Sequence, residues 1–337
     1  MNYCGIDLAS KASAICIMTE SRDIVLERES PTDEDGFRQA LKDCRGLCCV
    51  VEASPLSEWV AQILESLGHE VVVIDARKAK AVLTAKRKTV KLDARNLARM
   101  AATGWYSEVH RKSAEARLLR SHLIARKGLV SMQRQQSNRI RGLLRAHGVV
   151  LGRVSNGDFA ARVRARVEAR CAGLLPAIEP LLESWTGLRR ASAELTRRVK
   201  QLARQDQVCQ LLMTAPGVGP VVSSAYVATI DDPGRFVRSD QVAAYVGLVP
   251  SVMQSGEVEY RGRITREGDA LLRWLLVEAA HVLLTRSGCD CALKRWGKRI
   301  ERRKGSAKAK VAVARKLAMI LHRMWLTQTP FEARLAT

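Results

Sequence analysis

Two acidic residues stand where paired carboxylates could do chemistry. Asp7 closes the apolar run YCGID, and Glu52 closes a second one, CCVVE. If those runs are adjacent strands, the carboxylates converge on one pocket. Like charges that close together are costly without a cation, and hard carboxylate oxygens suit Mg²⁺. An acid after a strand is also an ordinary turn residue, so the chemistry depends on the strands lying side by side. Asp93, in KLDARNLARM, begins a helix that could bring a further carboxylate to the same metal. The same placement satisfies the helix dipole with no metal at all, and the residues leave both readings open. Asp75 ends another strand and is a rival ligand, ranked lower because the basic residues Arg77, Lys78 and Lys80 follow it directly. Ser255 lies in the loop-like stretch Met253-Gln254-Ser255-Gly256, ahead of Arg261, Arg263 and Arg266. A serine with no neighbouring His–Asp pair is ordinarily a loop hydroxyl. A hydroxyl that attacks phosphorus, however, needs cations to hold the transferred charge more than it needs a triad, and three arginines could supply them.

These groups need a scaffold, and the first hundred residues predict an α/β layer. Tyr3 to Leu8, Ala14 to Met18 and Ile24 to Glu29 read as a three-strand meander. A helix follows from Thr32 and Asp33 with Phe37, Leu41 and Cys44 as its buried face, then a strand from Cys48 to Ala53. Pro55 opens a second helix that Gly68 closes, and Val71 to Asp75 is a continuous apolar strand of the kind covered on both faces. The order βββαβαβ is that of a ribonuclease-H-like sheet, with Asp7 and Glu52 on neighbouring strands.

From about residue 108 the chain turns to Arg-, Leu- and Ala-rich stretches that predict long helical hairpins. Leu118, Leu129, Met132, Ile140, Leu143 and Leu144 recur at helical spacing, as do Leu181, Leu182, Trp185, Leu188, Leu195, Val199 and Leu202, which suits a partner-helix or coiled-coil seam. The interleaved Arg117, Arg120, Arg126, Arg134, Arg139, Arg141 and Arg145 are either solvated charge or phosphate clamps, and the scarcity of acids beside them favours clamps. Farther on, Pro216, Gly217, Gly219 and Pro220 make a tight turn. It could be a plain interhelical turn, or its amides could grip a phosphate backbone as in helix-hairpin-helix modules. The stretch from Lys294 to Lys316 is basic again, and an apolar helix from Val311 to Leu326 closes the chain.

Composition limits the possible partners. The 337 residues carry 56 Lys/Arg against 34 Asp/Glu, a net charge of +22, and that length suits two or three domains. The excess is uneven: residues 1–76 hold 6 basic and 14 acidic side chains, whereas residues 77–99 hold 9 basic and one acidic. An acidic module followed by a long basic excess fits a polyanion held near metal-binding carboxylates, so nucleic acid is the expected partner and a membrane is not. No apolar stretch reaches the roughly 18 residues of a membrane span, and MNYCGIDLAS lacks the pattern of a secretory leader, so the expected location is the cytoplasm. Nine cysteines without paired CxxC hooks read as small core residues, not as a zinc site or a disulfide framework.

Six segments together resemble a known family. GIDLASK with Asp7, VEASP with Glu52, KLDARNLARMAATGW with Asp93, and then APGVGPVVSSAYVATI, AAYVGLVPSVMQSG and GRITREGDALLRWLLVEAA are similar, in order and over about residues 3 to 285, to the Piv-type DEDD transposases of the one-ten family of bacterial insertion sequences. The resemblance implies a RuvC-like, ribonuclease-H-type nuclease domain over 1–108, an Arg-rich helical coiled-coil region over 109–206 and a mostly helical transposase domain over 207–337. It implies a DNA recombinase that cleaves and exchanges strands, acting as a homo-oligomer, dimer or tetramer, with a structured guide RNA encoded by the element. Asp7, Glu52 and Asp93 match three of the family's four acids and would hold Mg²⁺, while Ser255, delivered by a partner subunit, would join covalently to the cut strand. Arg134, Arg141, Gly217, Gly219, Arg261, Arg263 and Arg266 would contact DNA or RNA.

One departure from the family pattern affects the chemistry. Lys88-Thr89-Val90-Lys91-Leu92-Asp93-Ala94 places valine where the third acid belongs, and valine cannot ligate a metal. Either the remaining carboxylates suffice together with DNA phosphate oxygens, or Asp75 substitutes, or the copy is a catalytically lesioned transposase that only binds nucleic acid. A junction-resolving nuclease without a covalent intermediate is a further alternative.

Overall fold

The apolar alternation of the first strands is realised as a five-stranded mixed sheet. In the computed structural model, which describes residues 1–75, 90–255 and 258–333, the chain divides into two compact units, 1–111 and 112–337. In the first unit, β1 (Tyr3–Asp7), β2 (Ala12–Met18) and β3 (Ile24–Pro31) form the antiparallel meander. β4 (Cys48–Glu52) and β5 (Glu70–Ile74) extend it in parallel with β1, giving the order β3-β2-β1-β4-β5. Helices α1 (Glu34–Leu41) and α2 (Ser57–Ser66) supply the crossovers. The Asp33 carboxylate caps α1 by accepting from the Gly36 amide at 2.7 Å. Both helices cover the face that carries Cys4, Ile6, Cys49, Val51, Val71 and Val73.

The opposite face is covered by one helix, α3 (Val90–Thr103). Leu97, Met100 and Ala101 pack on Cys48, Val50, Val72 and Ile74, while Ala94 and Ala98 pack on Ala14, Cys16 and Met18. Glycine at position 5 makes the close approach possible. A Cβ there would lie 2.2 Å from both the Ala94 carbonyl oxygen and the Ala98 amide nitrogen. Both atoms are backbone and cannot rotate away. Gly5→Ala is therefore expected to lift α3 from the sheet and to destabilise the protein by about 3 kcal/mol, the upper range of core overpacking, read as a lower urea midpoint. Arg95, next to Ala94, forks onto the Glu27 carboxylate of β3 and fastens the helix laterally.

The second unit begins with α4 (Ala114–Ala146), about 50 Å long, which packs along α6 (Leu175–Gln205), with α5 (Phe159–Arg170) closing the tip between them. At the tip the Phe159 and Trp185 rings meet at 4.7 Å, within a core of Ile140, Leu144, Val163, Ile178 and Leu182. The buried seam matches the expected stripes in part: Leu182, Trp185 and Val199 of α6 are buried as the spacing predicts, but α4 follows its stripe only at Ile140 and Leu144. Leu123, Ile140 and Leu144 face inward, whereas Leu118, Met132 and Leu143 are exposed, because α4 turns different positions toward α6 and the rest of the unit.

The rest of the unit is mostly helical: α7 (Gln207–Met213), α8 (Pro220–Ile230), α9 (Ser239–Tyr245), α10 (Ala270–Thr285), α11 (Ala292–Lys304) and α12 (Ser306–Thr327). Tyr226 is fully buried and donates to the Ala318 carbonyl at 2.7 Å. Lys112 donates to the Ala228 and Thr229 carbonyls, both at 2.7 Å, capping the end of α8, and burial pushes its amine down to about 8. The closing apolar helix starts at Ser306, five residues earlier than the hydropathy pattern predicts. All nine cysteines are free thiols, six of them buried. No helix among the described residues is long and apolar enough to cross a membrane.

Candidate active site

Asp7 and Glu52 are the last residues of β1 and β4, and the parallel register Gly5↔Val50, Ile6↔Val51 makes them neighbours at the carboxyl edge. Adjacent strands run about 4.8 Å apart. Side chains alternate along a strand, so Asp7 shares a face with Gly5 and Glu52 shares one with Val50. That is the face under α3. Both residues are half-buried.

Asp93 lies in the first turn of α3, immediately before the segment seated on Gly5. Ala94 lines a shallow pocket of about 240 Å³ together with Ala14, the register partner of Asp7. Beyond the other end of the helix, the Tyr106 phenol is pushed up by burial and by Cys48, Glu108, Glu70 and Tyr3 around it. Cys48, Glu70 and Tyr3 are the first residues of β4, β5 and β1, so α3 runs from the carboxyl edge toward the amino edge and opens with Asp93 on the side of Asp7 and Glu52. Asp75 is placed differently. Its amide donates to the Ser107 carbonyl at 3.1 Å in continuation of β5, and alternation puts it with Val73 and Val71 on the opposite face, under α1 and α2. The basic residues Arg77, Lys78 and Lys80 lie outside the described residues, as does the side chain of Val90.

Among the described residues no three His, Cys, Asp or Glu side chains are gathered closely enough to hold a metal ion, so Asp7, Glu52 and Asp93 do not form a closed ligand set. The donors still suit an open site. Mg²⁺ keeps several waters and is commonly held by one or two carboxylates plus substrate phosphate oxygens, and the adjacent Asp7 and Glu52 supply that kind of pair.

Ser255 belongs to the second unit. The sequence suggests a loop, but the structure forms a hairpin, β6 (Pro250–Ser255) with β7 (Val258–Ile264), in which Ser255 is the last residue of β6 and pairs with Val258. Its side chain and that of Arg261 lie outside what is described; Arg263 and Arg266 are exposed. Two glycines with positive φ fix the hairpin's base. A Cβ at Gly247 (φ 70°) would meet the Glu267 carbonyl at 2.1 Å, and one at Gly268 (φ 73°) would meet the Tyr245 carbonyl at 1.9 Å. Arg266 adopts φ 58° and donates its amide to the Gly247 carbonyl at 3.3 Å.

The remaining nucleic-acid candidates divide. Arg134 is exposed on α4. Arg141 donates to the Leu151 and Gly152 carbonyls at 3.2 and 2.9 Å and lies 5.3 Å over the Phe159 ring, so it has a structural task in closing the tip. Gly217 (φ 88°) turns toward α10, where a Cβ would meet the Ala279 carbonyl at 2.4 Å. Gly219 has open space around it and heads α8. Two contributors escaped the sequence reading. Gly5 is visible in the string GID but has no local turn to explain it, and the Glu27–Arg95 pair joins residues too far apart for any spacing rule.

Comparison with known proteins bears on both units. Residues 4–148 match a family model described as a transposase, of the DEDD kind named for IS110, and residues 209–296 match the model of the transposase IS116/IS110/IS902 family. The chain is similar to the transposase for insertion sequence element IS1111A of Coxiella burnetii, at 26% identity over 322 residues covering 94% of this chain and 87% of that protein. It is also similar to the transposase for insertion sequence element IS1328 of Yersinia enterocolitica, at 23% identity over 330 residues and 96% of both chains. The enzyme class these matches define is the transposase, a DNA recombinase. Within that class, the chain belongs to the IS110/IS116 family of insertion-sequence transposases.

Proposed function

We propose that the chain moves its insertion sequence by cutting and rejoining DNA strands, using the carboxylates at the carboxyl edge of the sheet and the serine hairpin of a second copy. The observation that carries this reading is the adjacency of Asp7 and Glu52 beneath α3. The sheet order and the crossovers support a RuvC-like, ribonuclease-H-type domain over residues 1–108, followed by the Arg-rich helical region over 109–206 and the transposase domain over 207–337. Asp7 and Glu52 would hold Mg²⁺, with Asp93 positioned by α3 on the same side. When bound, the ion would neutralise charge on the scissile phosphate.

The chain's own residues would do the rest. The Ser255 hydroxyl oxygen attacks phosphorus and forms a phosphoserine ester, the P–O bond to the leaving strand breaks, and the serine's proton ends on the departing strand oxygen, directly or through water. A hydroxyl from a second strand then attacks the ester, restoring the serine and completing exchange. Arg263 and Arg266, exposed at the hairpin, would steady the phosphate. Delivery of Ser255 by a second copy in a dimer or tetramer, and pairing to target DNA through an element-encoded RNA, complete the reading.

The test is a strand-exchange assay in Mg²⁺ with a denaturing gel, on which protein-linked DNA is expected. Hydrolysed products with no linked DNA would instead favour a junction-resolving nuclease. The valine at position 90, together with the open ligand set, favours examining a binding-only protein as the second reading. Val90→Asp is expected to lower the Mg²⁺ concentration needed for cleavage. A wild type inert at every concentration, with activity appearing only in Val90→Asp, would establish the lesioned reading.

A further inference from the structure

The basic stretch near the carboxyl terminus is built into two helices, α11 and the start of α12, and is not a loose charged tail. From Ala292 to Lys316 the chain carries eleven Lys/Arg against the single acid Glu301. α11 buries Leu293 and Gly297 and half-buries Trp296 and Ile300, while Arg295, Arg299, Arg302 and Arg303 are exposed on its other side at spacings of four, three and one. Residues so spaced stand on one helical face and span about 12 Å.

The helix is held close to its neighbours. A Cβ at Gly297 would lie 2.6 Å from Val313 of α12 and 2.8 Å from Leu284 of α10, so α11 sits directly on the core. After Gly305, α12 adds exposed Lys308 and half-buried Lys310 to the same corner of the fold. Glu301 is taken up by Lys298 at 2.7 Å, and Arg295 pairs with Asp290 at 2.7 Å. For Arg299, Arg302, Arg303, Lys304 and Lys308 no acidic partner occurs among the described residues. A fixed row of uncompensated cations repels itself, and it suits a partner that brings a regular row of negative charge.

We propose that the exposed face of α11, continued by Lys308, binds the phosphate backbone of duplex DNA without reading its sequence. The surface rests on the reading of DNA as the substrate and adds a grip separate from the carboxylates and the serine. Duplex DNA is chosen because the α11 cations stand on one face of a preformed helix that can lie along a regular backbone, and no aromatic ring stands exposed among them to stack unpaired bases.

The test uses full-length protein and measures binding to a 30-base-pair DNA duplex and to an RNA hairpin across a salt series. Each phosphate neutralised contributes a slope of about −0.9 in log affinity against log salt. The Arg299→Gln, Arg302→Gln, Arg303→Gln triple variant is expected to lose about 2.7 from the DNA slope and to leave hairpin binding unchanged. The matching Arg→Lys triple should keep the wild-type slope. A control that removes three exposed cations elsewhere, Arg22→Gln, Lys42→Gln and Arg45→Gln, should also keep it. An unchanged DNA slope in the first triple, an equal loss in the control, or a loss confined to RNA would overturn the proposal. Glu52→Gln should bind DNA with the wild-type slope while failing to cut, so failure of this surface and failure of the catalytic reading give different results.

Discussion

Asp7→Asn is expected to reduce Mg²⁺-dependent strand cleavage on the order of a thousandfold, the scale seen when one preorganised electrostatic contact to a reacting group is lost. Asparagine keeps the shape and removes the charge, so the sheet edge should fold as before. Glu52→Gln should act in the same way, because the register makes the two residues a pair. Groups that work as a unit are non-additive, and the double variant is expected to fall little below either single one. DNA binding should survive in all three, since it rests on positive charge spread over the chain. Single-turnover cleavage on a labelled duplex, with binding measured on the same preparation, checks this. Asp7→Asn cutting at the wild-type rate would remove the carboxyl edge from the chemistry.

Ser255→Ala is expected to abolish protein-linked DNA altogether. Without the hydroxyl oxygen there is no atom to form the ester, whereas the carboxylate variants keep the nucleophile and lose only its assistance. The two lesions should separate at long incubation, when Asp7→Asn accumulates a trace of linked product and Ser255→Ala accumulates none. Because Ser255 is the last residue of its strand, replacing its oxygen by hydrogen should cost little stability. Recombination at a normal rate by Ser255→Ala would end the assignment of that residue.

The parts of the fold legible in the sequence were those governed by short-range rules. Short apolar runs marked β1 to β5 to within a residue or two, and Asp33 marked the start of α1 because its carboxylate meets an amide three residues on. The adjacency of Asp7 and Glu52 followed from strand order. Less legible were features decided by long-range packing. Which face of α4 is buried depends on α6 and α8, so periodicity alone put Leu118 and Met132 in a seam where they are exposed. The loop around Ser255 closes into a hairpin because Gly247 and Gly268 let two backbones approach from either side of it, and each glycine alone reads as an ordinary turn. Arg141 reads as a phosphate clamp until the carbonyls of Leu151 and Gly152 are placed beside it.

The burial of the thiols has a practical consequence. Burial pushes Cys16 up to about 11 and Cys209 up to about 12, so neither forms appreciable thiolate at neutral pH, and most of the others are enclosed as well. A maleimide dye would therefore find few competitors for a cysteine introduced at the exposed Tyr260 of β7. The strand carrying Arg261 and Arg263 could then be followed by fluorescence in the otherwise native enzyme.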